Sequence, residues 1–351
     1  MADSRLSAYD YELPPELVAK VPASPRDSAR LMVVDTGKGE IHFDTFRNLG
    51  KYLPERSLLV LNETKVLPAR ATLYKATGGK VVVLFLMNEW NGDQRYITGM
   101  VDRGITTGEP LYLSKSKWLI PLSQNASLFT FEANFPLNGL SGALQRRGKT
   151  PIPPYLKDTP LSEKKLRLRY QAVFAKDAGS VAAPTASLHF TKRVFEALQA
   201  QHIGRTFVTL HVGMGTFAPI RESNFESKTL HEERYAVPKQ ASEAILRAKE
   251  EGRAVVAVGT TAMRTLESGA PKILHGFEAK AKTDLFIYPP YDFKIADALI
   301  TNFHLPRSSL MCLVDAFLLH KKSPKRIMDI YRLAIVERMR FFSFGDCMLI
   351  V

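Results

Sequence analysis

A chain of 351 residues with 45% hydrophobic content can bury a sizeable core, and its length suits two domains. Its formal charge of +13 points to a polyanionic partner, because lysine and arginine gain affinity by displacing phosphate counterions. The cysteines, Cys312 and Cys347, form no CxxC pair, which argues against a disulfide framework or a cysteine zinc site, and no apolar run suits a signal peptide or a membrane span, so the chain reads as cytoplasmic.

Residues 10–25 are proline-rich and read as an extended lead-in with a short helical turn. Residues 29–35 and 57–62 look like strands. From about residue 69 to 134 the pattern changes to short alternating runs, 80–86, 94–101, 110–113 and 128–133, separated by Gly, Asn and Asp. That pattern predicts a small all-β, barrel-like unit. After Thr150-Pro-Ile-Pro-Pro-Tyr155 strands alternate with helices at 193–202, 241–251, 261–268, 308–319 and 324–338. Thr191 is a candidate N-cap of the first. The fold class expected is therefore an α/β main domain, residues 1–68 with 150–351, carrying an inserted small all-β barrel-like domain, residues 69–149.

Four segments stand out as joints where an apolar run ends in hydrogen-bonding side chains. They are Val181-Ala-Ala-Pro-Thr-Ala-Ser-Leu-His-Phe-Thr191, Val208-Thr-Leu-His-Val-Gly-Met-Gly-Thr216, Val255-Val-Ala-Val-Gly-Thr-Thr-Ala-Met-Arg-Thr-Leu-Glu267 and Asp297-Ala-Leu-Ile-Thr-Asn-Phe-His-Leu-Pro-Arg-Ser-Ser-Leu310. Open α/β sheets place ligand chemistry at such joints, so they read as one site. Gly259 before Thr260 and Thr261 is a strand–glycine–helix start suited to an anion or carboxylate, although an ordinary turn has the same pattern. A full GxGxxG is missing, and His231 lacks a second histidine at zinc spacing, so no metal is expected. Any one of histidines 189, 211, 231 and 304 could be structural, but four at such positions point to an acid–base residue. Glu232 and Glu233 read as an exposed face.

Basic residues cluster. Residues 146–169 hold eight basic against two acidic side chains, and 321–340 seven against two. Either alone reads as a solvated face; together they favour a nucleic-acid partner. Tyr288 and Tyr291 bracket Pro289-Pro290 and suit base stacking on a loop.

Taken together these residues resemble the S-adenosylmethionine:tRNA ribosyltransferase-isomerase family of queuosine biosynthesis. The similarity runs through Tyr9-Asp-Tyr-Glu-Leu-Pro14, Pro25-Arg-Asp27, Leu61-Asn-Glu-Thr-Lys-Val-Leu-Pro-Ala-Arg70, Thr77-Gly-Gly79, Pro151-Ile-Pro-Pro-Tyr155 and Tyr170-Gln171. It continues through the four joints, His231-Glu-Glu-Arg-Tyr235 and Phe341-Phe-Ser-Phe-Gly-Asp346. Departures from the family pattern are Ser187 for a glycine, Pro290 for a glycine, Ala262-Met263 for Ser-Val, and Asp315 for a small residue.

The resemblance implies transfer and isomerisation of the ribosyl part of S-adenosylmethionine onto 7-aminomethyl-7-deazaguanine at the tRNA wobble position. Epoxyqueuosine forms, and adenine and methionine leave. It also implies tRNA with a G-U-N anticodon as partner. No cofactor is implied beyond S-adenosylmethionine, itself a consumed substrate, and no membrane or obligate protein partner is evident. The roles are assigned on chemistry. His189, His211 and His304 are the acid–base candidates. Arg264 with Gly259, Thr260 and Thr261 would hold the methionine carboxylate, and Asn302 and Thr185 the ribose or base. Arg146, Arg147, Lys149, Tyr288 and Tyr291 would contact tRNA. Two alternatives stay open. A tRNA methyltransferase would share S-adenosylmethionine and the basic charge but release S-adenosylhomocysteine. A non-catalytic tRNA-binding protein would leave the polar joints unexplained.

Overall fold

The computed structural model describes residues 4–87, 90, 92–125, 127–213 and 220–351. A one-turn helix α1 (Ser4–Ser7) and the lead-in precede β1 (Arg30–Asp35), which turns back as β2 (Glu40–Thr45). A 3-10 turn at Phe46–Lys51 leads to β3 (Leu58–Asn62) and the short β4 (Thr64–Val66). Then come β5 (Arg70–Tyr74), β6 (Lys80–Phe85), β7 (Tyr96–Val101), β8 (Leu111–Ser114), β9 (Lys117–Asn125) and β10 (Leu128–Ala133). These close on themselves as a barrel, in the order β10-β7-β6-β5-β8-β9. Helix α2 (Leu140–Arg147) joins the barrel core through Leu140, Ala143 and Leu144. The two ends of this unit are tied together: Lys149 N–H donates to the Arg70 carbonyl at 2.7 Å, and Arg70 N–H returns a bond at 3.2 Å.

Beyond the barrel lie α3 (Glu163–Arg169), β11 (Asp177–Ser180), α4 (Lys192–Ala200), β12 (Gly204–Leu210), α5 (Glu222–Ser227) and β13 (Thr229–Val237). The chain continues with α6 (Lys239–Glu250), β14 (Val255–Val258), α7 (Thr260–Ile273) and β15 (Ala279–Leu285). It finishes with β16 (Ala298–Asn302), α8 (Ser309–His320), α9 (Ile327–Val336) and β17 (Cys347–Ile350). The main sheet has the order β15-β13-β12-β3-β14-β16-β17-β1-β2. Its centre, β12-β3-β14-β16, is parallel, and the flanking pairs β12–β13, β13–β15 and β16–β17 are antiparallel.

Alternation along the central strands explains the layering. Leu58, Val60, Val255, Ala257 and Leu299 face one side with Ile245, Met263, Leu266 and Phe317 of the helices. Leu59, Leu61, Val256, Val258 and Ile300 face the other, with Phe46, Leu49, Val194 and Leu198. Both faces are covered, which is why these strands read as continuous apolar runs. Burying each such aliphatic side chain contributes about 1.5–3 kcal/mol.

The fold class is as expected, an α/β main sheet with a closed barrel. The structure differs in detail. Strands β2, β4, β5, β9, β11 and β17 are additional to the sequence reading, and the intervals 203–240 and 269–307 between helices hold the strand pairs β12 and β13, and β15 and β16. In β9, Pro121 lies where the ladder with β10 shifts register, and that bulge tolerates its missing N–H. The joint at 181–191 does not end a strand of the main sheet, because β11 pairs with β4 and Thr185–His189 is a 3-10 turn. Asp315 is buried against Tyr9 and Arg326 and accepts from Ile327 N–H at 3.3 Å. It caps the start of α9 and stands outside the ligand cavity described below.

Candidate active site

A cavity of about 770 Å³ opens beyond the C-terminal ends of β14 and β16. Parallel strands bring Val258 and Ile300 side by side, so the two joints that follow them share one wall. Gly259 sits at φ +90°, a conformation that side chains resist, and its N–H donates to the Ile300 carbonyl at 2.7 Å. The chain then turns into α7, whose first residues Thr260 and Thr261 line the cavity at the positive end of the helix dipole. Asn62, at the end of β3, fixes this turn by donating to Thr261 Oγ1 at 3.1 Å and to the Leu210 carbonyl at 3.0 Å.

Arg264, one turn on, is 8% exposed and also lines the cavity. Its Nη1 pairs with Glu233 Oε2, and its Nε donates to the Leu285 carbonyl at 3.1 Å. Nη2 is buried and has no partner among the described residues. Sequence reading placed Glu233 on an exposed face; it is in fact 4% exposed. The signal was the strand period. Glu233 is in phase with buried Tyr235 and Val237 of β13, while Glu232 points outward to Lys282 at 2.8 Å.

The second wall comes from β16 and the loop after it. Thr301, Asn302 and His304 all line the cavity, as does Thr185 opposite. His304 Nε2 lies 2.8 Å from Thr301 Oγ1, and its backbone N–H donates to the Tyr331 hydroxyl at 2.8 Å. Burial pushes His304 down to about 3, so its imidazole is neutral at pH 7. Asn302 Nδ2 donates to the Asp346 carbonyl at 3.2 Å and lies 3.2 Å from His189 Nε2, while its Oδ1 is buried without a partner among the described residues. Tyr155 and Ser343, whose hydroxyls are 2.7 Å apart, and Tyr170 complete the far side.

Two of the three histidine candidates lie outside this lining among the described residues. His189 stands behind Asn302, its ring against Phe46 at 5.1 Å. His211 follows β12 and lies 2.8 Å through Nδ1 from Thr64 Oγ1, with Asp177 Oδ2 at 3.7 Å from Nε2. Burial lowers its pKa, against the pull of Asp177. The stretch Met214-Gly-Thr216 of its joint lies outside the described residues, as does Phe217.

The proposed tRNA contacts fall elsewhere. Arg146 and Arg147 end α2 and are exposed, as is Lys149. A second cavity of about 510 Å³ opens at this junction, lined by Arg26, Lys65, Gln145, Thr150 and Arg167, and Tyr170 borders both cavities. Tyr288 packs on Phe286 at 4.9 Å and Tyr291 on Phe293 at 4.8 Å; both are half-buried and neither lines the main cavity. No helix among the described residues is long and apolar enough to cross a membrane.

A family model described as queuosine biosynthesis protein matches residues 6–350. A Thermotoga maritima protein described as S-adenosylmethionine:tRNA ribosyltransferase-isomerase is 41% identical over 348 residues, covering 99% of this chain and all of that one. A Thermus thermophilus protein of the same description is 43% identical, covering 99% of each chain. A crystal structure titled S-adenosylmethionine tRNA ribosyltransferase, from Thermotoga maritima, superposes with TM-score 0.54 at 34% identity, covering 98% of this chain and 99% of that one.

Proposed function

The chain belongs to the queuosine biosynthesis family of S-adenosylmethionine:tRNA ribosyltransferase-isomerases, and from that membership we propose the reaction its cavity carries out. S-adenosylmethionine binds in the 770 Å³ cavity, and its ribosyl group passes to 7-aminomethyl-7-deazaguanine at the tRNA wobble position. The sugar is rearranged to an epoxycyclopentane, and adenine and methionine leave. The observation that supports this most is the pair of buried, unpartnered polar atoms on the cavity residues, Arg264 Nη2 as donor and Asn302 Oδ1 as acceptor. Orphaned groups of this kind cost about 1–3 kcal/mol each unless a ligand satisfies them. A molecule with a carboxylate at one end and sugar hydroxyls at the other satisfies both.

In this reading Arg264 and the Gly259–Thr261 turn hold the methionine carboxylate, with the α7 dipole favouring the same charge. Thr185 and Asn302 face the sugar or the base. Of the acid–base candidates, His304 has the direct route to the ligand: its imidazole is neutral and set by Thr301. Burial makes this neutral imidazole a weak base, so the proton it takes must be the one beside the sulfonium, whose positive charge acidifies that carbon. Arg146, Arg147 and Lys149, beside the second cavity, engage the tRNA backbone, and the anticodon read is G-U-N. No further cofactor takes part, and the reaction belongs in the cytoplasm with its tRNA.

Incubating the protein with S-adenosylmethionine and RNA carrying 7-aminomethyl-7-deazaguanine tests the reaction. Mass spectrometry should find adenine, methionine and epoxyqueuosine together. S-adenosylhomocysteine with a methylated nucleoside would replace this reading by a methyltransferase.

A further inference from the structure

His189 is buried and outside the cavity lining, and among the described residues its hydrogen-bonding contact with that lining is Asn302. Two contacts fix the Asn302 amide. The Asp346 backbone carbonyl lies 3.2 Å away and can only accept, so the amide atom facing it is the nitrogen. The other contact of that nitrogen is His189 Nε2 at 3.2 Å. An amide nitrogen only donates, so Nε2 must present a lone pair there, and the ring hydrogen must be on Nδ1. The remaining amide atom, Oδ1, is the buried acceptor with no partner among the described residues.

We infer that His189 is a positioning residue: as the neutral Nδ1–H tautomer it holds the Asn302 amide so that Oδ1 stays the acceptor for a hydroxyl or amine donor of the substrate. This rests on the reading of the cavity as the ribosyl-transfer site. The groups around the ring are consistent with a neutral state. Burial pushes His189 down to about 4; the Asp346 carboxylate opposes this, and the Arg340 and Arg26 guanidiniums add to it. Were Nε2 protonated, the amide would have to turn over to meet it. Oδ1 would then face the Asp346 carbonyl, lone pair against lone pair, and the cavity would gain a donor where it needs an acceptor. The ribose hydroxyls of both substrates and the attacking amine are donors of the class that Oδ1 recognises.

His189→Gln and His189→Ala separate positioning from proton transfer. A glutamine carbonyl can accept from Asn302 but cannot exchange a proton near neutral pH. In adenine release with S-adenosylmethionine and modified RNA, His189→Gln should keep kcat/KM within about threefold of wild type. His189→Ala should lose about 10- to 100-fold, the worth of one mis-set hydrogen bond. A folded His189→Gln that falls as far as His189→Ala would overturn the inference in favour of acid–base catalysis, and a fully active His189→Ala would overturn it outright. Long-range proton–nitrogen NMR of the wild-type protein tests the tautomer without a variant or turnover: Nε2 should be unprotonated from pH 6 to 8, and an Nε2–H signal would overturn the inference. If the wild-type protein releases no adenine, the ribosyl-transfer reading fails separately, and the NMR result still stands on its own.

Discussion

Glu233 grips one edge of the Arg264 guanidinium and leaves another, Nη2, without a partner among the described residues. Glu233 is itself anchored, since its Oε1 accepts from Gly213 N–H at 2.9 Å. A buried cation needs a fixed counter-charge, and here that charge also decides where the unpartnered edge lies.

Arg264→Lys keeps the charge but loses the planar fork. The KM for S-adenosylmethionine is expected to rise about tenfold or more, with a smaller change in kcat. Steady-state kinetics check this, and an unchanged KM would remove Arg264 from substrate binding.

Glu233→Gln leaves the Arg264 charge buried and uncompensated. Removing one partner of a buried pair costs about 3–5 kcal/mol. Urea denaturation should register a loss of that order, whereas a loss below about 1 kcal/mol would mean that water already screens the pair.

Gly259→Ala forces a Cβ onto a residue at φ +90°. The nearest atom outside the turn is Ala186 Cβ at 3.7 Å, so the penalty is backbone strain rather than a clash. A cost of about 1–3 kcal/mol is expected, together with weaker S-adenosylmethionine binding as the turn shifts. Thermal melting with and without S-adenosylmethionine measures both.

Ser187 Oγ is buried and has no partner among the described residues. Ser187→Ala removes that orphan without creating a large void, so it should be neutral or stabilising by up to about 1 kcal/mol. Activity should not change, because Ser187 does not line the cavity. A clear loss of turnover would show that the hydroxyl meets a ligand.

Acid should weaken the fold through His189 and His304. Their folded values, about 4 and about 3, lie below the ordinary 6.5. Between these limits the unfolded chain binds more protons, so stability falls as pH falls. It should be complete above about pH 6.5 and decline toward pH 4 and below, by several kcal/mol for the two sites together. Urea midpoints at pH 7 and pH 5 test this, and His304→Gln should flatten the slope.

How much the sequence revealed depended on whether one segment carried the signal. Val255–Val258 and Ala298–Asn302 are apolar runs ending in polar residues, and their place in the sheet and beside the cavity could be read directly. The barrel was readable from alternating runs, but β9 was masked because Pro121 breaks the pattern at the bulge. Glu233 was missed because its partner is 31 positions away, and only the pairing of β13 between β12 and β15 turns it inward. The separation of His189 from the cavity was likewise beyond sequence reach. It depends on His189 and Asn302 meeting from distant segments.

Strand β1 lies between β2 and β17, pairing Leu31 with Cys347. On a ribosome adding ~5–20 residues per second, one edge of β1 therefore waits for some tens of seconds before its partner is made. During that interval its hydrogen-bonding groups and apolar face are open to other chains. Nascent chains that stall late in translation should thus be the ones that most need a chaperone.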